Sequence, residues 1–330
     1  MLLEMNRAGQ HNLPPVSVIM SVYNGAAYVA QAIESMLSQT HPHFEFIIVD
    51  DGSTDQTGSI IRDYAARDQR IRVISQSNQG QVASLNRALT EAAYEWVARL
   101  DHDDISLPHR LEHQLAAIRA NPAVRVLGTY GFEIDQLGRR LGISEVGPTS
   151  AAEFERLRRQ HRLVMLIHSS VMMHRPTILA LGGYQERFRA AEDRDLWSRV
   201  ADDHLILALP EPLVCYRIHA TSMYHTHFFE ARCSVRWIEA CQYARRHGRV
   251  EPTLDEHLAA LRGQPIHTRL NWLRLDWSYY LSRQAWLRWL AGRRREAAAL
   301  FLGASILDPG RLTRRLQERR RRQGYRRFIR

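Results

Sequence analysis

The chain has no lysine; all 45 of its basic residues are arginine. Such a bias fits GC-rich codon usage better than a functional signal. Its physical consequence is that every side-chain cation is a planar, permanently charged fork suited to phosphate. Cysteine is scarce as well. Cys215, Cys233 and Cys241 are odd in number and show no CxxC spacing. That argues against a disulfide framework or a thiolate zinc site and fits a reducing compartment. No apolar run approaches the roughly 18 residues of a membrane-spanning helix. Met1 to Pro15 lacks the apolar stretch of a signal peptide. A soluble, cytoplasmic protein is expected.

What is present is unevenly placed. The 330 residues are 45% hydrophobic, enough for a sizeable core. Residues 1–225 carry a net charge of −4 and residues 226–330 a net charge of +14. The expected organisation is an N-terminal tail (1–15), a catalytic domain (16–225) and a basic helical region (226–330).

Short apolar runs alternate with helical patterns. Ser17–Tyr23, Glu45–Val49, Arg72–Ser75 and Glu95–Leu100 read as strands. Ala27–Ser38, Thr54–Arg67 and Gln81–Ala93 read as helices between them, with Thr54 or Asp55 as N-cap of the second. Alternation of this kind predicts an α/β fold, a Rossmann-like, mostly parallel sheet flanked by helices. A helix follows Pro108 to about Ala120. Further β-like runs are Val124–Tyr130, Ser169–Met173, Leu205–Leu209 and Val214–Ile218, and from Phe228 the pattern is helical. Ligands bind parallel sheets beyond the carboxyl ends of the strands. Three such ends carry polar clusters that should converge: Tyr23-Asn24-Gly25, Asp50-Asp51-Gly52-Ser53 and Asp101-His102-Asp103-Asp104.

The last cluster puts three carboxylates in four residues, which repel unless a cation or hydrogen bonds compensate. Oxygen ligands at a strand end suit Mg²⁺ or Mn²⁺ carrying a diphosphate; a solvated acidic turn is the plain alternative. The turn at Asp51 can present a carboxylate to a base or ribose, or be a capped strand–helix connection. Glu192-Asp193 can supply a general base, or an acidic helix N-terminus. His168-Ser169-Ser170 and Tyr216-Arg217-Ile218-His219 flank β-like runs, where a histidine is more often structural than a ligand.

The ordered succession PPVSVIMSVYNGAAYVAQAIESMLSQT, FEFIIVDDGSTDQT, SNQGQVASLNRAL, YEWVARLDHDDISLPHRL, HSSVMMHR, GGYQERFRAAEDRDLWSRV and YRIHATSM resembles family 2 glycosyltransferases of the GT-A fold. The likeness runs from about Val16 to Met223. It implies a nucleotide-sugar site in which Ser21, Tyr23 and Asn24 form the first nucleotide loop, with Tyr23 stacking on the base. Asp51 would read the uracil edge, Asp101 approach the ribose, and Asn86 and His168 belong to the same site. Asp103, of the DXD motif, would bridge a divalent metal (Mn²⁺ or Mg²⁺), with His219 as a second contact. Asp193 would be the catalytic base, paired with Glu192. One departure stands out: many relatives have an arginine where this chain has Leu85, leaving Arg87 or Arg99 to neutralise the diphosphate.

The implied reaction is a metal-assisted, inverting transfer from a nucleotide-diphosphate sugar, in first place a UDP-sugar, to a sugar or lipid-linked acceptor in surface polysaccharide synthesis. A nucleotidyltransferase lacks its Gly-rich basic loop in SVYNGAAYVA. Nucleic-acid binding is disfavoured by the acidic body, although Arg311–Arg330 holds ten arginines. A non-catalytic relative would not be expected to keep Asp51, Asp103 and Asp193. In the basic region, Trp286, Leu287, Trp289 and Leu290 lie among Arg283, Arg288 and Arg293–Arg295. An amphipathic helix of that kind either docks on an anionic membrane, placing the protein on its inner face, or packs inward as a cap.

Overall fold

Strand β1 (Val16–Val22) lies between β2 (Phe44–Asp50) and β4 (Trp96–Arg99), both parallel to it, and β3 (Ile71–Ser75) pairs parallel with β2. The computed structural model describes residues 13–219 and 226–310. Helices α1 (Val29–Leu37), α2 (Thr57–Ala65) and α3 (Gln81–Glu91) make the connections. Strands β1, β2 and β4 are buried on both faces, as crossover helices require, while the edge strand β3 is only partly covered. Ile19, Ile47 and Val49 enter one hydrophobic cluster; Val18, Met20, Phe46 and Ile48 enter the other. This period of two is the pleat of the sheet.

Beyond β4 the sheet turns mixed. The full order is β3-β2-β1-β4-β8-β6-β9-β5, with β7 on β6. The added strands are β5 (Ile105–Ser106), β6 (Val124–Ile134), β7 (Arg140–Ser144), β8 (Met172–His174) and β9 (Leu205–Arg217). β8 runs antiparallel to both β4 and β6, while β9 runs parallel to β6 and antiparallel to β5. The intervening helices are α4 (Arg110–Ala120), α5 (Ala151–Arg159), α6 (Arg175–Ala180) and α7 (Glu192–Asp203). The α/β expectation holds, with helices covering the sheet.

Several local expectations change for visible reasons. Leu205–Leu209 and Val214–Ile218 are one strand, because the register against β6 shifts around Pro212 instead of breaking. Ser169–Met173 does not begin as strand. His168–Ser170 is a 3₁₀ turn, because the Ser170 hydroxyl accepts from Thr129 N–H and donates to Ile167 C=O, and Ser169 turns to Asp101. Helix α2 starts at Thr57, since Thr54 N–H is drawn to Asn24 while Asp55 Oδ1 accepts from Thr57 N–H.

The chain divides into two compact units: Met1–Ile218 with Ser234–Glu251, and His219–Cys233 with Pro252–Arg330. The C-terminal part of α8 (Phe228–Arg246) belongs to the first unit, where Trp237 packs on Phe188 with ring centroids 4.5 Å apart. The second unit holds α9 (Leu254–Arg262), α10 (Ile266–Leu290) and α11 (Arg294–Leu307). There α10 and α11 pack side by side through Ser278 Oγ, which donates to Ala304 C=O. Arg311–Arg330 lies outside the described residues.

Candidate active site

The tips of β1 and β2 are in register, Val22 opposite Asp50, so the loops that follow them meet. Asn24 takes the left-handed conformation (φ 51°), which asparagine tolerates. Its N–H donates to Ser53 Oγ at 3.0 Å, and its Oδ1 accepts from Thr54 N–H at 2.9 Å. Gly25 N–H donates to Thr57 Oγ1 at 2.8 Å. A Cβ at Gly25 would lie 2.5 Å from His102 Cδ2, so the acidic turn packs directly on the first loop. Ser21 is half-buried in β1, and Tyr23, 48% exposed, stands free of this packing. The three polar strand ends therefore do converge.

Asp51 is buried and shapes a fourth segment. Its Oδ1 accepts from Gln79 N–H (2.9 Å) and Gln76 Nε2 (2.8 Å); its Oδ2 accepts from Gly80 N–H (2.8 Å). A carboxylate has about four lone-pair sites, so three bonds to one loop leave little room for a ligand. Asn86 is committed in a similar way. Its Nδ2 donates to Tyr184 C=O and its Oδ1 accepts from Tyr184 N–H, both at 2.8 Å. The clasp needs Gly183, where a Cβ would come within 2.5 Å of Asn86 Oδ1. Leu85 is fully buried in the core. Of the two arginines expected to replace it at the diphosphate, Arg87 is exposed and pairs with Glu91, and Arg99 is turned inward.

Arg99 ends β4 with 1% of its surface exposed. Its two terminal nitrogens donate to the two oxygens of Asp101, and Ser169 Oγ donates to Asp101 Oδ2 at 2.8 Å. Carboxylate oxygens of Asp101, Asp103 and Asp104 lie within 4.8 Å of one another. Burial, then the charges of Asp103 and Asp101, push the Asp104 carboxyl well up. Its Oδ1 accepts from Arg217 N–H at 2.7 Å, while its buried Oδ2 has no hydrogen bond. An orphaned buried oxygen among three mutually repelling carboxylates fits a divalent cation. His219 is half-buried and opens the second unit.

The acidic pair begins α7. Glu192 is buried, and burial together with the neighbouring Asp193 charge pushes it up to about 8. Asp193 is half-buried and also raised, first by burial; its Oδ1 accepts from Arg194 N–H. The fields of Arg99 and Asp101 reach both carboxyls. His168 Nε2 hydrogen-bonds Tyr184 Oη at 2.8 Å, and its Nδ1 lies 3.9 Å from Glu192 Oε1. Burial and Arg99 hold His168 well below its ordinary value, so the ring is neutral. Burial pushes the Tyr184 hydroxyl up, so it keeps its proton.

The sequence assigns no role to Tyr184, or to Ser169 and Arg217 within their motifs, and gives Arg99 a different task. The one local signal was a charge inside an apolar strand, in EWVARL and LVCYRI.

Residues 17–179 match the family model described as Glycosyl transferase family 2. The chain is 36% identical over 199 residues to the protein named glycosyltransferase EpsE in Bacillus subtilis, covering 58% of this chain and 68% of that one. It is 34% identical over 214 residues to the uncharacterised glycosyltransferase MJ1057 of Methanocaldococcus jannaschii, covering 64% and 73%. Among solved structures, S. aureus TarS (residues 1–349), crystallised with UDP and in another crystal with UDP-GlcNAc, superposes with a TM-score of 0.54 at 18% identity. That superposition covers 90% of this chain and 91% of the TarS 1–349 fragment and shows a shared GT-A fold. The order of the motifs, the convergence of the three strand ends and these likenesses together place the chain in glycosyltransferase family 2.

Proposed function

We propose that the chain moves a sugar from a UDP-sugar to an acceptor hydroxyl with inversion at the anomeric carbon. The observation that carries this reading is that the His168–Ser169 segment touches both acidic groups: Ser169 Oγ bonds Asp101 at 2.8 Å and His168 Nδ1 lies 3.9 Å from Glu192 Oε1. Tyr23 offers an exposed ring to the base, and the strand-end loops frame the nucleotide. UDP is favoured because the TarS structures of the same fold hold UDP and UDP-GlcNAc.

Asp103 and Asp104, with Asp101 beside them, would hold Mn²⁺ or Mg²⁺. When bound, such an ion supplies Lewis acidity to the departing diphosphate. At neutral pH Glu192 keeps its proton, which leaves Asp193 as the candidate base of the pair. Asp193 Oδ2 takes the proton of the acceptor hydroxyl as its oxygen bonds to the anomeric carbon. The bond from that carbon to the phosphate oxygen breaks, and its electron pair leaves with UDP. Arg99 holds Asp101 in place and offsets the crowded negative charge. Product stereochemistry followed by NMR tests the reading: an α-linked UDP-sugar should give a β-linked product, and retained configuration would refute it.

The second unit supports an acceptor held at a lipid surface on the cytoplasmic side. Among the described residues no helix is long and apolar enough to cross a membrane. On α10, Ile266, Leu270, Leu273 and Trp277 recur every three or four residues and are 63%, 56%, 52% and 42% exposed. Exposed Arg269 and Arg274 flank the row, and the one acid of α10, Asp276, is buried against Arg232. An apolar row with a basic rim is complementary to anionic lipid. A second copy would instead face its own arginines.

A further inference from the structure

We propose that Arg217 is a positioning residue that sets the spacing of the carboxylates in the acidic turn. The proposal rests on the reading of that turn as a divalent-cation site. Arg217 ends β9 with 2% of its surface exposed. Pairing of β9 with β5 brings it beside the segment that follows the turn, and pairing with β6 brings it opposite Ile134. Its Nε donates to Asp103 C=O at 2.7 Å, and its backbone N–H donates to Asp104 Oδ1 at the same distance. Nη1 donates to Asp135 C=O (3.0 Å) and Gln136 C=O (3.1 Å), and Nη2 to Gln31 Oε1 (3.0 Å). The guanidinium also lies over the Tyr28 ring, 4.4 Å from its centroid.

One side chain thus joins the acidic turn, the turn after β6 and the first helix behind the nucleotide loop. The four guanidinium bonds all go to neutral oxygens, one of them the Asp103 carbonyl of the acidic turn. Fixing the Asp103 carbonyl fixes the peptide plane from which the next carboxylate departs. The bond to Asp104 Oδ1 fixes the rotation of a carboxylate that belongs to the cluster. Residues that orient metal ligands in this way typically govern affinity about 10–100-fold. Lysine cannot replace the arrangement, because one ammonium cannot reach oxygens on three segments at once.

The test titrates Mn²⁺ into the full-length protein with UDP present and follows the bound ion by EPR. Arg217→Lys should weaken Mn²⁺ binding about 10–100-fold. Arg199→Lys is the control for loss of a buried arginine. Arg199 is also buried but holds Asp195 and the carbonyls of Leu181 and Gly183; its variant should bind Mn²⁺ as the native protein does. Gln31→Met removes one partner of the guanidinium without touching the core and should weaken binding about threefold, the share of one hydrogen bond. It carries the test if Arg217→Lys fails to fold. Native Mn²⁺ affinity in folded Arg217→Lys, or equal weakening in Arg199→Lys, overturns the proposal. A native protein that takes up no Mn²⁺ overturns the cation reading first, and the proposal with it.

Discussion

The buried guanidinium of Arg99 closes on both carboxylate oxygens of Asp101, two residues along the same strand end. The pair is asymmetric: Arg99 is 1% exposed at its side chain and Asp101 24%. Removing the arginine strands a carboxylate beside two others. Arg99→Met should therefore lower unfolding free energy by about 3 kcal/mol, near the low end for broken buried pairs because Asp101 keeps some solvent. Adding Asp101→Asn should restore part of that loss, measured by urea denaturation of the single and double variants. No recovery in the double variant would contradict the pairing.

Asp193→Asn should lower turnover about 10²–10⁴-fold while leaving UDP affinity within a small factor. Steady-state kinetics and calorimetry separate the two. A collapse of UDP binding would make Asp193 a binding group instead of the base.

Glu192 gives a signed pH prediction. Its carboxyl titrates at about 8 in the fold against an ordinary 4.5. Between those values the folded state holds a proton that the unfolded state has released, so stability falls as pH rises through that window. Glu192→Gln removes the slope. The variant should match native stability near pH 4.5 and exceed it at pH 8.5, in thermal denaturation across pH. Parallel curves for the two proteins would contradict the buried, proton-holding carboxyl.

How much of this was legible in the sequence depends on range. The apolar runs 17–23 and 45–49 stop abruptly at polar clusters, and the loops at Asn24, Asp51 and Asp103 sit where those stops predict. Asn86 and Tyr184 are 98 residues apart, and nothing in either segment announces that the asparagine clasps the tyrosine backbone. Ser169 and Ser170 sit next to a β-rich run, yet their hydroxyls compete with strand formation through partners on β6 and the acidic turn. Arg99 and Arg217 were visible as charges inside strands. Their roles come from neighbours that only the mixed half of the sheet brings together. In the basic region Trp286 and Trp289 of the expected apolar face are 40% and 47% exposed, and a further exposed row, Ile266–Trp277, precedes them on the same helix.

That row makes a prediction about surfaces. The full-length protein should sediment with anionic vesicles at low salt, stay in solution with neutral ones, and be released by high salt. Leu270→Glu with Leu273→Glu should abolish the binding and spare UDP affinity. Equal binding to both vesicle types contradicts the electrostatic part, and a stable dimer that the same pair of substitutions dissolves assigns the row to a second copy.

The central claim is a UDP-sugar site closed by a cation on the acidic turn. Calorimetric titration of UDP into the native protein and Asp103→Asn, with and without Mn²⁺, tests it most directly. The account predicts that Mn²⁺ tightens UDP binding to the native protein, and that Asp103→Asn loses this gain while remaining folded. UDP binding that ignores both Mn²⁺ and the substitution would contradict it.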